Sequence, residues 1–196
     1  MTAIAILLLA AGASARMQGR DKLMETVDGQ PLLSLMCRRA ALTGLQVYVT
    51  LPGLTHPRAA AIGTSAPVAV ADAAEGMAAS IRRGVAALPE GCAGVMILPA
   101  DMPEVETQDM LHLAALFGGS SGPILRATAE DGTPGHPVLF PRRCFDALQA
   151  LSGDQGARSI LKSEKVQTVP LPGRHALTDL DTPEDWAAWR RRHRHR

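Results

Sequence analysis

Aromatic residues are scarce in this 196-residue chain: three Phe, two Trp and one Tyr, 3% of the sequence. With 46% hydrophobic residues overall, the core must be built mainly from Ala, Leu, Val and Ile, which suits helices packed on a parallel sheet. Cysteine is also sparse. Cys37, Cys92 and Cys144 stand far apart, and the absence of a C-x-x-C pair excludes the usual zinc and thiol-exchange motifs. They are expected to stay reduced in a cytoplasmic protein. Charge of one sign is lacking, since 20 Lys and Arg meet 19 Asp and Glu, and a net charge of +1 gives no footprint of a nucleic-acid binder. No segment approaches the roughly 20 apolar residues that span a bilayer, so no membrane association is expected. The apolar start, Ala3 to Ala11, has the length of a signal-peptide core but no basic residue before it, and reads as a first strand. Neither familiar phosphate loop, G-x-x-x-x-G-K-[ST] or G-x-G-x-x-G, is present.

What is present is an alternation of apolar runs and helical patterns with no internal repeat and no long linker, the sign of βαβ units. Strands are expected at Ile4–Leu9, Gln46–Leu51, Val68–Ala71, Gly94–Leu98 and Pro123–Ala127. Helices are expected at Leu32–Leu42, Met77–Leu88, Thr107–Phe117, Arg142–Leu151 and Ala157–Lys162, two of them just after Pro31 and Pro141. After Gly132 the pattern becomes irregular, with short strands near Val138–Phe140 and Val166–Pro170, and a last helix opens at Thr182-Pro183. The length suits one domain. The expected fold is α/β: a Rossmann-like three-layer α/β/α arrangement around a mostly parallel, doubly wound sheet, with a small irregular lobe.

The first strand runs into a loop of small residues, Ala10, Ala11, Gly12, Ala13, Ser14 and Ala15, followed by Arg16 and Lys22. Small side chains let backbone amides approach an anion, and the loop should open at the carboxyl end of a parallel strand. A guanidinium can grip two phosphate oxygens, while a lysine ammonium acts as a point charge. The run Gly94 to Leu98 leads through Pro99 and Ala100 to Asp101, which should project into the same crevice, since open α/β sheets bind ligands beyond the carboxyl ends of their strands. A hard Mg²⁺ ion takes one or two carboxylates together with phosphate oxygens. In Leu177-Thr-Asp-Leu-Asp-Thr-Pro-Glu-Asp185, alternation puts Asp179 and Asp181 on the same side of an extended segment, and one of them is the second candidate ligand; Asp181 or Thr182 could instead cap the helix at Pro183. Gly76, Met77 and Ser80 stand at a small-residue helix start, with Asp72 just before them. No base motif supports Ser14 as a nucleophile. The charge run Arg190 to Arg196 reads as a solvated end.

These residues resemble the signature of the MobA-like nucleotidyltransferases, L-A-[AG]-G-x-S-x-R-M-x-x-x-x-K, met by Leu9, Ala10, Ala11, Gly12, Ser14, Arg16, Met17 and Lys22. Gln18 departs from it, because the family often has glycine after Arg-Met; Gly19 follows one residue later. The L-x-x-D-x-P element is matched through Asp101, the D-[IL]-[DN]-T-P-E element through Asp179 and Asp181, and G-M-x-x-S-[IL] through Gly76, Met77 and Ser80. Gly135-His-Pro-Val-Leu-Phe140 and Gly153-Asp-Gln-Gly-Ala-Arg158 resemble elements of the branch that works on molybdopterin.

The resemblance implies a loop that wraps a nucleotide triphosphate, with Arg16, Lys22 and Asp101 carrying the chemistry and Asp101 and Asp181 holding Mg²⁺. Asp179 would orient Asp181 or bind indirectly, and Gly76, Met77 and Ser80 would border the base and sugar, with Asp72 a weaker candidate there. It implies an acceptor-binding part from about 131 to 182, following a nucleotide-binding part to about 130. There Arg158 would meet the acceptor's terminal phosphate, His136 would line the approach, and Asp154 would belong to the same loop. Ala-Ala-Gly at positions 10–12, in place of Ala-Gly-Gly, points within the family to CTP rather than GTP. The implied reaction is transfer of CMP from CTP to molybdenum-molybdopterin, giving molybdopterin cytosine dinucleotide and pyrophosphate. The expected partners are therefore CTP, a molybdopterin-type phosphate acceptor, and a recipient molybdoenzyme or its maturation factor, with the chain itself a monomer. A guanylyltransferase, a sugar-phosphate or isoprenoid-precursor nucleotidyltransferase, and a non-catalytic carrier of molybdenum cofactor are the alternatives.

Overall fold

The structure is a computed structural model and describes residues 4–154 and 156–193; the last three residues of the basic run, 194–196, lie outside it. Nine strands are present among the described residues: β1 (Ile4–Leu9), β2 (Thr26–Val27), β3 (Gln30–Pro31), β4 (Gln46–Leu51), β5 (Ala66–Ala69), β6 (Gly94–Pro99), β7 (Ile124–Thr128), β8 (Pro134–Pro141) and β9 (Val166–Pro170). Six α-helices accompany them: α1 (Leu32–Ala41), α2 (Met77–Ala86), α3 (Thr107–Ala115), α4 (Phe145–Gln149), α5 (Arg158–Ser163) and α6 (Pro183–His193). Seven strands form one sheet in the order β5-β4-β1-β6-β8-β7-β9, and β2 pairs with β3 in a separate hairpin.

The apolar run of β1 lies at the centre of this sheet, parallel to β4 on one side and β6 on the other. Its side chains alternate between faces as strand geometry requires. Ile6 and Leu8 join the layer with Leu33 and Met36 of α1, Met110 of α3, and Trp186 and Trp189 of α6. Ala5 and Leu7 join Ile81 and Val85 of α2, Leu148 of α4 and Ile160 of α5 on the other face. The three-layer α/β/α expectation is met, and a core with few aromatics packs closely. Gly84 of α2 sits against the end of Leu7, leaving no room for a Cβ, so this helix lies directly on β1.

The part read as irregular contributes an eight-residue strand. β8 enters the sheet antiparallel to β6 and β7, and β9 then pairs parallel with β7. Four of the six pairings are thus parallel. Other differences are local: the strand expected at Val68–Ala71 runs from Ala66 to Ala69, and the helix expected over Arg142–Leu151 is a 3-10 turn at Arg142–Cys144 followed by α4. Among the described residues, no helix is long and apolar enough to cross a membrane.

Candidate active site

β1 and β6 end side by side, and the segments that continue them stay joined, since Ala100 N–H donates to the Leu9 carbonyl at 3.1 Å. The Ala10–Lys22 loop and Asp101 therefore leave the sheet together. Lys22 is the meeting point. Its ammonium bridges the carboxylates of Asp101 and Asp181, with Nζ 2.5 Å from Asp181 Oδ1, and Arg16 Nη2 reaches Asp181 Oδ2, also at 2.5 Å. Burial would lower the Lys22 pKa, but the two carboxylates outweigh it and hold the ammonium above its ordinary value. Asp179, facing the same cleft, has its carboxyl pushed up by desolvation and then by the negative charges of Asp101 and Asp181. The four residues expected to handle phosphate and metal, Arg16, Lys22, Asp101 and Asp181, thus form one cluster although up to 165 positions separate them in sequence.

The two roles considered for the segment before α6 fall to different residues. Asp185 N–H donates to Thr182 Oγ1 at 3.2 Å, and Thr182 N–H donates to Asp185 Oδ2 at 2.9 Å. This reciprocal arrangement caps the helix. The Asp181 carboxylate is left for the cleft.

Two cavities open on either side of the cluster and share Lys22, Met77, Pro99, Asp101 and Asp154. The smaller, about 350 Å³, is lined by Ala11, Gly12, Ala13, Gly76 and Ser80 as well. A Cβ on Gly12 would meet nothing within 4 Å, so the glycine keeps this space open. Gly76, at φ +113°, brings the start of α2 against Gly153 and Asp154, and Ala78 N–H donates to the Gly153 carbonyl at 3.2 Å. The larger cavity, about 510 Å³, adds Arg126, His136, Arg158 and apolar walls from Ile97, Val138 and Phe140. Asp154 thus stands at the junction of the two cavities rather than in one alone.

Several expected site residues sit elsewhere. Asp72 is absent from both cavities; it accepts from Arg82 and Arg83, which hold its carboxyl below its usual value. Ala10 and Ala100 are 1% exposed and contribute backbone only, the Ala10 N–H being taken by the Thr50 carbonyl and hydroxyl. The Ala11 methyl packs against Val70 and Ala79, so any influence on a base runs through the position of the loop against α2. Ser14 is not in either of these cavities but borders a third, of about 500 Å³, with Ala11, Gly12, Ala13, Asp21 and Arg58; its hydroxyl donates to Asp21 Oδ1 and accepts from Lys22 N–H and Arg58 Nη2.

His136 is held neutral, its pKa lowered to about 4 by burial and then by the Arg126 charge. Its Nδ1 is buried without a partner. Arg126 itself is lowered by desolvation and by Arg158 nearby, so two cations face this end of the larger cavity. Sequence reasoning missed Arg126 and Arg58. Arg126 lies in a strand with no motif of its own, and Arg58 follows a loop that reads as featureless; only the assembled sheet brings them to the site.

Fit to a divalent cation can be tested on the carboxylates themselves. Asp101 Oδ1 is buried with no hydrogen-bond partner, and Asp101 Oδ2 and Asp181 Oδ1 converge on a single positive charge. Hard oxygen donors of this kind suit Mg²⁺ or Mn²⁺. Among the described residues no three His, Cys, Asp or Glu side chains close into a complete metal shell. Two carboxylates with the rest supplied by phosphate and water is the pattern Mg²⁺ prefers.

Residues 6–169 match the family model of the MobA-like NTP transferase domain. Over 93% of this chain and 94% of its own length, the purine catabolism protein PucB of Bacillus subtilis is 30% identical. A probable molybdenum cofactor guanylyltransferase of Trichormus variabilis is 28% identical over 95% of this chain and 90% of its own. Among solved structures, Rv0371c of Mycobacterium tuberculosis H37Rv superposes with a TM-score of 0.84 at 26% identity, covering 96% of this chain and 97% of that one. The family model spans both the loop that carries Arg16 and Lys22 and the strand that delivers Asp101, which the fold brings to one cluster: the chain belongs to the MobA-like NTP transferase family.

Proposed function

We propose that this protein is a divalent-metal-dependent nucleotidyltransferase that moves CMP from CTP to the terminal phosphate of molybdenum-molybdopterin, releasing pyrophosphate. The observation that carries this reading is the Arg16–Lys22–Asp101–Asp181 cluster at the junction of two cavities. The smaller cavity, closed by the Gly12 loop and the start of α2, suits the nucleotide. The larger one, with apolar walls and Arg126 and Arg158, suits an acceptor that carries both an organic body and a phosphate.

In this reading an acceptor phosphate oxygen attacks the α-phosphorus, a new P–O bond forms, and the bond to the β-phosphate breaks with its electron pair leaving on pyrophosphate. An ionised phosphate needs no base to activate it, so alignment and charge neutralisation are the protein's main tasks. Lys22 and Arg16 exchange their carboxylate partners for phosphate oxygens when the triphosphate enters. Bound at Asp101 and Asp181, Mg²⁺ or Mn²⁺ supplies charge neutralisation at the phosphates. A crystal structure of Rv0371c in complex with manganese, at 25% identity and a TM-score of 0.80, supports a divalent ion in this reading. Arg158 and Arg126 hold the acceptor, and the neutral His136 lines its path.

GTP is the competing donor. The probable molybdenum cofactor guanylyltransferase at 28% identity is named for that donor, and the name of PucB specifies none; Ala11 is what favours CTP. The test is pyrophosphate release from CTP, GTP, ATP and UTP with Mg²⁺, with and without the molybdopterin acceptor. Acceptor-dependent release from CTP is expected. A preference for GTP would replace the donor, and tight acceptor binding without turnover would favour a carrier.

A further inference from the structure

Arg58, only 2% exposed, lies behind the nucleotide loop, in the 3-10 turn Pro57–Ala61. Its guanidinium is fully engaged. Nη1 donates to the carbonyls of Ala10 at 2.6 Å and Gly12 at 2.7 Å, Nη2 to Ser14 Oγ at 3.0 Å, and Nε and Nη2 grip the two oxygens of Asp21 at 2.7 Å each. Asp21 Oδ1 also accepts from Leu23 N–H at 3.0 Å, and Ser14 Oγ accepts from Lys22 N–H at 3.3 Å. One buried fork therefore touches both ends of the loop, its small-residue start and the backbone that carries Lys22.

The consequence follows from the planar trans peptide, in which C=O and the next N–H point in opposite directions. With the carbonyls of Ala10 and Gly12 turned onto the guanidinium, the amides of Ala11 and Ala13 face away from it. Those residues line the cavity that also holds Lys22 and Asp101, which Arg58 does not line. Arg58 borders a different cavity of about 500 Å³, with Ser14 and Asp21, and the guanidinium N–H groups at that side are all taken by the loop and Asp21. The same contacts hold Ser14 in a left-handed conformation, φ +53°, that a residue with a side chain rarely adopts.

We propose that Arg58 is a positioning residue for the triphosphate loop: it touches no substrate, but by anchoring the carbonyl side of Ala10–Ser14 it presents the Ala11 and Ala13 amides to phosphate and fixes the backbone at Lys22. This rests on reading the loop as a triphosphate cradle. A chain that merely needed Arg58 for folding would show lost stability with unaltered affinity in the folded fraction. A positioning role puts the loss in nucleotide affinity.

The experiment compares wild type with Arg58→Lys and Asp21→Asn, each checked by circular dichroism and thermal melting. Magnesium tripolyphosphate, which has no base, and CTP are titrated by calorimetry, and KM for CTP is separated from kcat. Lysine keeps the charge but cannot span five acceptors, and Asn removes the anchor of the fork. Affinity for both ligands is expected to fall by about tenfold or more, with kcat at saturating CTP changed much less. A folded variant that binds tripolyphosphate and CTP within about twofold of wild type overturns the proposal. If neither variant folds, amide NMR shifts of the wild type on adding tripolyphosphate decide: the largest shifts are expected at Ala11 and Ala13, and their absence with ligand bound overturns it. Wild type that binds neither ligand would instead refute the cradle reading itself.

Discussion

Gly135 is the position where a single methyl should do the most damage to the acceptor side. It is the second residue of β8, and a Cβ built on it would collide with the Ala176 carbonyl oxygen, lie 2.7 Å from the carbonyl carbon and reach 3.0 Å from Leu177 Cδ2. Non-bonded heavy atoms in contact sit more than about 3 Å apart and the carbonyl oxygen is the deeper clash, so in Gly135→Ala the 174–177 backbone must retreat by roughly 1.5 Å. That segment is tied in place by His136 N–H, which donates to the same Ala176 carbonyl at 2.9 Å. Losing this bond costs about 1 kcal/mol and overpacking a buried site about 1–3 kcal/mol more, so the total is about 2–4 kcal/mol. For a chain of this size the melting temperature should fall by roughly 5–15 °C. Ala176, Leu177, Asp179 and Asp181 all line the larger cavity, so the retreat moves its wall and one of the candidate metal ligands. Steady-state kinetics on the folded variant should show a raised acceptor KM and a lowered kcat, with nucleotide affinity changed less. A melting temperature within about 1 °C of wild type, or a loss confined to nucleotide binding, would refute the reasoning.

The contrasting substitution, Gly12→Ala, adds a methyl that meets nothing within 4 Å, at a residue that lines the smaller cavity; melting should be unchanged while KM for CTP rises several-fold, and unaltered KM would show that the triphosphate does not approach this position. Asp101→Asn keeps the shape of a side chain that is 12% exposed but removes its charge. We expect kcat to drop by about 100-fold or more with circular dichroism preserved, and wild-type turnover would remove Asp101 from the metal site. His136 gives a pH signature, since its folded pKa of about 4 lies below the ordinary value. Below pH 6.5 or so the unfolded chain takes up a proton that the folded one refuses until about pH 4, so stability is present above this window and declines through it, by on the order of 3 kcal/mol. In His136→Gln the urea midpoint should fall less steeply between those limits, and parallel slopes would show that the ring titrates normally.

The legible parts of this chain are those whose physics is local. β1 and β4 fall within their expected bounds because their apolar runs end where the chain leaves the sheet, and α2 starts at Met77 after a glycine that frees the turn. The loop cations and the carboxylates could be named one by one, since each stands at the carboxyl end of a readable strand or before a readable helix. Pairing order could not. Nothing in Pro134–Pro141 announces that it will lie between β6 and β7 and antiparallel to both, and a strand that begins with Pro-Gly-His-Pro looks irregular. Asp72 looked available because its partners Arg82 and Arg83 belong to the next helix and only meet it once the turn at Gly76 is made. The β2–β3 hairpin has two residues in each strand, too few for any periodicity.

In the proposed reaction, that antiparallel insertion also explains how one cleft serves two ligands. Parallel strands deliver their carboxyl ends to one edge of the sheet, and β1 and β6 place the loop, Lys22 and Asp101 there. A further parallel strand would have delivered another carboxyl end to the same edge. β8 instead starts at this edge: Ile97 pairs with Val138, and two residues further along the same register His136 falls opposite Pro99, just before Asp101. Gly135 then lets the 174–177 segment close over it and bring Asp179 and Asp181 back to Lys22. In the proposed assignment the nucleotide side is thus built from strand ends and the acceptor side from a strand beginning. Asp101 belongs to both cavities because it sits at their seam. Damage at Gly135 and at Gly12 should therefore separate kinetically, even though both act within one cleft.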